Sequence, residues 1–184
     1  MQPAFWWKWE QAIPKEICDL AMRDASTMQK KPAVVFKEHD RGTTTLNKDK
    51  RNNEVVFLPT NHWMEGILYN YARHANISGG WNFDISTCEP VQISTYEPGQ
   101  FYDWHSDAYM LSKGTPRKLS VVLQLSDAAD FTGGGFFIEG IEESHLKNQG
   151  DLIVFPSFFR HKAAEVLTGT RCTAVCWVHG APYR

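Results

Sequence analysis

The sequence predicts a mainly β protein: a jelly-roll or cupin-like double sheet, with N-terminal helices packed on one outer face. Two observations carry this prediction. After about residue 90 the chain consists of short runs in which polar and apolar residues alternate, separated by glycine-rich turns. Before residue 90 the pattern is mixed, and it includes two stretches in which apolar residues recur with helical spacing.

The first half of the sequence predicts two helices, one short strand and a loop. Pro14 stands where a helix can start, and helical spacing of apolar residues continues to about Ala25. The second helix is predicted over His62–Asn76 and ends before a Gly-Gly pair. The aromatic run Phe5–Trp9 predicts a strand, and the polar stretch Lys37–Asn53 predicts a loop.

The second half predicts strands with one polar and one apolar face. Residues 91, 93 and 95 oppose residues 92, 94 and 96, and the run 119–125 alternates in the same way. Further strands are predicted over Phe136–Glu139, Asp151–Phe155 and Arg171–Val178, with glycines in the turns between them. We therefore expect a single domain over residues 1–184, in which residues 1–89 form a mixed helical support region and 90–180 the β core.

Composition excludes several classes of protein. The 184 residues suit one domain, and 42% of them are apolar, which is ample for a core. The net charge of −2 and the absence of a long basic run predict no nucleic-acid or membrane partner. The short basic run Lys48–Arg51 is interpreted as a solvated loop. No run of 18 apolar residues and no secretory leader are visible. The four cysteines lack metal-binding spacing, so we expect a reducing, cytoplasmic setting.

Three residues predict a metal site. His105 and Asp107 are two residues apart on a predicted strand, so their side chains project to the same side. His161 follows a later apolar strand and is the best placed third ligand. Two imidazoles and one carboxylate suit non-haem Fe(II) and leave coordination positions open. Zinc accepts the same donors. A bare His-x-Asp match is more often a solvated or packed histidine, but the later His161 and Arg171 favour the metal. The remaining histidines (His39, His62, His74, His145 and His179) are interpreted as surface or core residues.

A cosubstrate site is predicted around Arg171. On its strand, this arginine shares a face with Thr173 and residues 175 and 177. A guanidinium inside a barrel is costly unless it is paired, and a carboxylate would pair with it, which points to 2-oxoglutarate. Thr173 adds a hydroxyl donor. Tyr96 or Tyr102 would donate to a carboxylate, with plain packing as the alternative for both. Gln124 either reaches the cosubstrate or faces solvent.

The chain resembles the 2-oxoglutarate/Fe(II)-dependent dioxygenases of the prolyl 4-hydroxylase type, most closely their small bacterial and phage members. The resemblance is carried by the runs YEPGQFYDWHSD, RKLSVVLQLSD, FTGGGFFIEG, GDLIVFPSFFRHKAAEV and GTRCTAVCWVHG. It implies a double-stranded β-helix with His105, Asp107 and His161 as iron ligands. It also implies that Arg171 binds the distal carboxylate of 2-oxoglutarate and that a tyrosine binds the keto-acid end. Where many members have Gly-Gly-Glu, this chain has Gly133-Gly134-Gly135.

The resemblance implies hydroxylation of an unactivated C–H bond by O2, foremost of prolyl residues in a peptide or protein. Succinate and CO2 would be released, and ascorbate would serve as a reductant. The alternatives are a hydroxylase of a free amino acid or other small molecule, a non-catalytic metal-binding sensor module of the cupin type and, with less support, a nucleic-acid demethylase. The segments Asp107–Lys118 and Arg51–Asn53 are predicted loops that contact the substrate beside the metal.

Overall fold

A computed structural model describes residues 2–36, 43–108, 115–141 and 145–182. Within these ranges there are two α-helices, α1 (Lys15–Ser26) and α2 (Trp63–Ser78). The strands are β1 (Trp7–Trp9), β2 (Lys31–Pro32), β3 (Val35–Phe36), β4 (Thr44–Thr45), β5 (Arg51–Asn52), β6 (Glu54–Phe57), β7 (Thr87–Cys88), β8 (Gln92–Tyr96), β9 (Phe101–His105), β10 (Arg117–Gln124), β11 (Phe131–Gly133), β12 (Phe136–Ile138), β13 (Leu152–Pro156), β14 (His161–Ala163), β15 (Val166–Gly169) and β16 (Arg171–His179).

A large antiparallel sheet forms one layer of the fold. Its strands lie in the order β1, β13, β10, β16, β8, β6 and β2, with β7 paired to β16. The helices pack on its outer face, where Leu119, Val121 and Leu123 of β10 share a core with Met64 and Leu68 of α2. Alternate residues of β10 point the other way, into the protein interior. The prediction of helices on one outer face is therefore confirmed.

A small sheet covers the inner face of the large one. It contains β12, β14, β9 and β5 in that order, and the pair β11–β15 lies beside it. Apolar side chains from both sheets pack in a second core, in which Val122 and Phe155 of the large sheet meet Phe136 and Ile138 of the small one. This arrangement is a jelly-roll double-stranded β-helix, as predicted.

The first half of the chain contains strands that were not predicted, among them β2, β3, β6 and β7. Both helices form where predicted, and the imidazole of His62 caps α2 by accepting a hydrogen bond from the amide of Met64. The predicted loop over Lys37–Asn53 is wrong in part, because it contains β4 and β5. Residues 37–42 lie outside the described ranges. In the described part of the chain, no helix is both long and apolar enough to cross a bilayer.

Candidate metal centre

The end of β9 and the start of β14 place two histidines side by side. These strands are antiparallel neighbours, and their register pairs His105 directly with His161. Asp107 follows β9, and its backbone amide donates to the carbonyl of Ser157, 2.9 Å away. His105 Nε2 lies 3.6 Å from Asp107 Oδ1, and His161 Nε2 lies 3.3 Å from Asp107 Oδ2. One donor atom from each residue falls within 4.8 Å of the others, close enough for all three to hold one ion.

Hydrogen bonds fix both imidazoles in a form that can bind a metal. The Nδ1 atom of His105 lies 2.8 Å from the carbonyl oxygen of Asp103, and Nδ1 of His161 lies 3.0 Å from that of Phe159. A carbonyl only accepts, so Nδ1 carries the proton in each ring. In the neutral imidazole the lone pair is therefore on Nε2, and the Nε2 atoms of both rings lie close to Asp107. An outer hydrogen bond of this kind orients metal-binding histidines.

Burial and charge favour the metal-binding protonation states of His105 and Asp107. Burial and then the charge of the neighbouring His161 lower the pKa of His105 to about 3. Burial by itself would raise the pKa of Asp107, but His161, through its charge and a hydrogen bond, and then His105 hold that pKa well below its usual value. At neutral pH the site therefore offers a neutral His105 imidazole and a carboxylate, which are the forms that coordinate metals.

The carboxylate of Asp107 is also held from the large sheet. The hydroxyl of Ser120 on β10 donates to Asp107 Oδ2 at 2.8 Å, and it lies 3.0 Å from the hydroxyl of Ser157. All three residues are buried. The orientation of the carboxylate is therefore also fixed from the large sheet.

Arg171 lies in the same cavity with one donor unused. The side chain is 2% exposed, and its Nε donates to Gln124 Oε1 at 3.1 Å. Its Nη2 is buried and has no hydrogen-bond partner among the described residues. The guanidinium lies over the ring of Tyr96, 5.7 Å from its centroid. A buried guanidinium with an unused donor is costly, so it fits a cosubstrate that brings a carboxylate.

Most of the predicted site residues meet in one cavity, which we call the central cavity. It is lined by His105, Asp107, His161, Arg171, Tyr96, Tyr102 and Thr173. Gln124 does not line it: the side chain is fully buried behind Arg171, so the solvent-facing alternative is wrong. The donor set and the unused arginine donor fit Fe(II) and 2-oxoglutarate. The role of each residue stays a prediction.

Tyr102 and Arg51 make contacts that the sequence did not indicate. The ring of Tyr102 stacks on His105, with centroids 3.4 Å apart. The guanidinium of Arg51 lies over the other side of that ring, 4.4 Å from its centroid, and Arg51 lines the central cavity. The interpretation of Lys48–Arg51 as a solvated loop is therefore wrong for Arg51, which is 9% exposed. The pairing of β5 with β9 brings it there, and that pairing leaves no local signal in the sequence.

The predicted substrate segment after Asp107 is described only in part. Residues 109–114 lie outside the described ranges. Its last residues, Arg117 and Lys118, belong to β10 and not to a loop. The segment Arg51–Asn53, predicted as a second substrate loop, instead begins as strand β5.

Comparison with known proteins identifies the β core. Residues 91–179 match the family model of the 2OG-Fe(II) oxygenase superfamily. A PKHD-type hydroxylase of Synechococcus elongatus is 37% identical over 141 residues, which cover 74% of this chain and 56% of the relative. A PKHD-type hydroxylase of Idiomarina loihiensis is 34% identical over 90 residues, 48% of this chain and 41% of the relative. The chain thus spans about half the length of these curated relatives.

Solved structures show the same fold. A prolyl 4-hydroxylase of Pseudomonas putida superposes with a TM-score of 0.72 at 19% identity, over 97% of this chain and 94% of the other. A viral collagen prolyl hydroxylase from Paramecium bursaria Chlorella virus-1, solved with 2-oxoglutarate, gives 0.70 at 18% identity, over 96% and 97%. A Trichoplax adhaerens prolyl hydroxylase in complex with a peptide fragment gives 0.76 at 12%, over 96% and 84%. The matched segment, which contains the His–Asp–His cluster and Arg171, is therefore a 2OG-Fe(II) oxygenase domain with the fold of the prolyl 4-hydroxylases.

Proposed function

We propose that this protein is an Fe(II)- and 2-oxoglutarate-dependent dioxygenase that hydroxylates an unactivated C–H bond and releases succinate and CO2. One observation carries the proposal: the cluster of His105, Asp107 and His161 lies in the same cavity as the unused donor of Arg171. Fe(II), when bound, supplies the activation of O2. A sensor that only held a metal would have no use for this buried guanidinium beside it.

Different residues of the central cavity would bind the metal and the cosubstrate. His105, Asp107 and His161 would hold three positions of the metal and leave the others open. Arg171 would bind the distal carboxylate of 2-oxoglutarate through its free Nη2, while Gln124 fixes the direction of the guanidinium from behind. Thr173 lines the cavity one inward position along β16 from Arg171, so its hydroxyl is placed to add a second donor.

The tyrosines differ in what they are placed to do. Tyr96 pairs with Arg171 across β8 and β16 and covers the guanidinium, so it is the better placed of the two to contact the carboxylate of the cosubstrate. Tyr102 stacks on His105 and restrains the plane of that imidazole. Apolar residues, among them Phe136 and Val175, complete the wall of the cavity and exclude water from the reacting atoms.

We propose a prolyl residue in a peptide or protein as the substrate. The support is the resemblance of the chain to PKHD-type hydroxylases and the fold it shares with prolyl hydroxylases, one of which was solved with a peptide fragment. Proline-rich segments are already extended as polyproline II, so binding them costs little conformational entropy.

A product assay tests this function. The protein is incubated with Fe(II), ascorbate, 2-oxoglutarate and a panel of proline-containing peptides, and products are identified by mass spectrometry. We expect a gain of one oxygen atom on proline, and no gain with Asp107→Ala. His74→Ala, which changes a histidine of α2 outside the central cavity, is the matched control and should retain activity. Hydroxylation of free L-proline without hydroxylation of any peptide would contradict the peptide substrate.

A further inference from the structure

We propose that Arg51 binds a carboxylate of the substrate, so that the substrate of this enzyme is anionic next to the C–H bond that is oxidised. The inference rests on the proposed function and adds a chemical class to its substrate. The central cavity contains two arginines, Arg171 and Arg51. Arg171 is the proposed partner of 2-oxoglutarate, whereas neither the metal nor 2-oxoglutarate accounts for Arg51.

The guanidinium of Arg51 is fixed in place by its neighbours. Nε donates to Asn53 Oδ1 at 2.9 Å, and Nη1 donates to the carbonyl of Val34 at 3.1 Å. One face lies on the ring of Tyr102. Nη2 makes no hydrogen bond to any residue in the described ranges, and this atom is not fully buried. Arg51 is therefore held rigidly with one donor available to a ligand.

Arg51 also differs from the other buried or paired arginines because no carboxylate is assigned to neutralise its charge. Arg117 forms a two-point ion pair with Glu89, and Arg160 pairs with Glu139. Arg171 has the distal carboxylate of 2-oxoglutarate as its proposed partner. Arg51 makes no ion pair with any described residue, although it is 9% exposed. A nearly buried charge without a counter-ion is costly, and an anionic ligand would offset that cost.

The position of Arg51 points to the substrate as the source of that anion. Arg51 and Gln92 line both the central cavity and a neighbouring cleft of about 330 Å³, which we call the side cleft. Apolar residues form much of its walls, and Val34 and Phe57 are 40% and 53% exposed there. A cleft of this size accommodates a ligand of a few residues. A chain lying in the side cleft would place a carboxylate on Arg51 and its reacting carbon towards the central cavity.

2-Oxoglutarate does not account for Arg51. Its distal carboxylate is assigned to Arg171, and its keto-acid end belongs at the metal. Arg51 is separated from His105 by the whole thickness of the Tyr102 ring. A carboxylate on Arg51 would thus be separated from the candidate metal ligand His105 by the ring of Tyr102, so it would not itself reach the metal.

Binding of matched probes tests the proposal without turnover. The protein is loaded with Zn(II) and 2-oxoglutarate, and probe affinities are measured by ligand-observed NMR. One pair compares acetyl-Asp-Pro-Gly-amide with acetyl-Asn-Pro-Gly-amide and so tests an acidic side chain. The other compares acetyl-Gly-Pro with its amide and so tests a terminal carboxylate. We expect at least one acid to bind about tenfold or more tightly than its amide. The pair that shows the difference identifies the source of the carboxylate.

The variants connect that preference to Arg51. Arg51→Gln should bind acid and amide equally, and Arg51→Lys should retain part of the preference, because a point charge attracts but has no planar fork. Arg73→Gln, on the exposed side of α2, is the surface control and should behave as the wild type. The proposal is overturned if no acid binds the wild type more tightly than its amide, or if the preference persists in Arg51→Gln.

Two features of the experiment separate a failure of the Arg51 proposal from misfolding of a variant and from a failure of the proposed reaction. If Arg51→Gln does not fold, the comparison of acids and amides in the wild type and in Arg51→Lys still decides the question. Because the Zn(II)-loaded protein does not turn over, a failure of the proposed reaction is seen separately, as missing product in the hydroxylation assay.

Discussion

The hydroxyl of Ser120 donates a 2.8 Å hydrogen bond to Asp107 Oδ2, and this bond joins the large sheet to a carboxylate that follows a strand of the small one. The two sheets therefore meet at the candidate metal ligands. A hydroxyl that holds a ligating carboxylate reduces the freedom that the carboxylate must lose when metal binds.

Ser120→Ala should weaken metal binding by about 10- to 100-fold, as is typical when an outer hydrogen bond to a metal ligand is removed. Anaerobic calorimetric titration with Fe(II) measures the effect. Ser94→Ala is the matched control, because its buried hydroxyl lines the same cavity but accepts a hydrogen bond from Gln92. Equal Fe(II) affinities for Ser120→Ala and the wild type would show that the hydroxyl does not position the ligand.

Arg171→Ala should weaken 2-oxoglutarate binding by roughly 30- to 150-fold, the equivalent of about 2–3 kcal/mol for a charge-assisted contact. Affinity for Fe(II) should change little, and Arg171→Lys should be intermediate. Titration of 2-oxoglutarate into the Fe(II)-loaded protein without O2 measures this. Arg160→Ala removes an exposed arginine as a control. An unchanged 2-oxoglutarate affinity in Arg171→Ala would place the carboxylate elsewhere.

Gly134→Ala should weaken 2-oxoglutarate binding by pushing Arg171 from its position. Gly134 has a φ of +62°, and an added Cβ would lie 2.9 Å from Arg171 Cδ. Side-chain strain of roughly 1 kcal/mol corresponds to about a fivefold loss of affinity. Gly99→Ala is the control, since Gly99 has a φ of +81° but nothing within 4 Å of an added Cβ. It should lower stability through the same backbone strain and leave the 2-oxoglutarate affinity unchanged. Equal affinities for the two variants would contradict the contact.

Glu89→Gln should lower the free energy of unfolding by about 2–3 kcal/mol at neutral pH, because it breaks a largely buried ion pair. Glu89 accepts from Arg117 Nε at 2.5 Å, and His179 Nε2 lies 2.6 Å from the same carboxylate oxygen. Glu139→Gln, which removes an exposed pair, should cost at most about 0.5 kcal/mol. Denaturant unfolding of both variants measures the difference, and equal losses would contradict the prediction.

The stabilisation by Glu89 should depend on pH. Burial by itself would raise the pKa of Glu89, but hydrogen bonds from His179 and Arg117 outweigh it, so the pKa in the folded state lies below the ordinary 4.5. A lowered pKa means that the contribution is complete above the unfolded value and is lost as the pH falls through the folded one. The stability difference between the wild type and Glu89→Gln should therefore shrink as the pH falls below about 4.5. A difference that persists at lower pH would contradict this linkage.

The sequence was enough to predict which faces of the strands carry the site. Strand side chains alternate, so His105 and Asp107 were predicted to converge, and Arg171 and Thr173 to share an inward face. Both expectations agree with the lining of the central cavity. The two helices were predicted for a similar reason, because the spacing of apolar residues along a helix is local information.

The contacts made by these residues could not be predicted in the same way. Alternation shows that Ser120 and Gln124 share a face, but not that one reaches Asp107 and the other Arg171. Arg51 was misinterpreted because its neighbours in sequence are charged, while its burial comes from pairing with Tyr102 across β5 and β9. Such pairings depend on strand register between distant segments, which a single sequence does not encode locally.

The most direct test of the account is the formation of succinate and CO2 from 2-oxoglutarate by the purified wild-type protein, with and without Fe(II). The account predicts turnover that requires Fe(II) and O2 and that is abolished in Asp107→Ala, His105→Ala and His161→Ala, measured with the proline peptides present. Turnover that persists in Asp107→Ala, or a wild-type protein that forms no succinate with Fe(II), would contradict the assignment of these three residues and the proposed reaction.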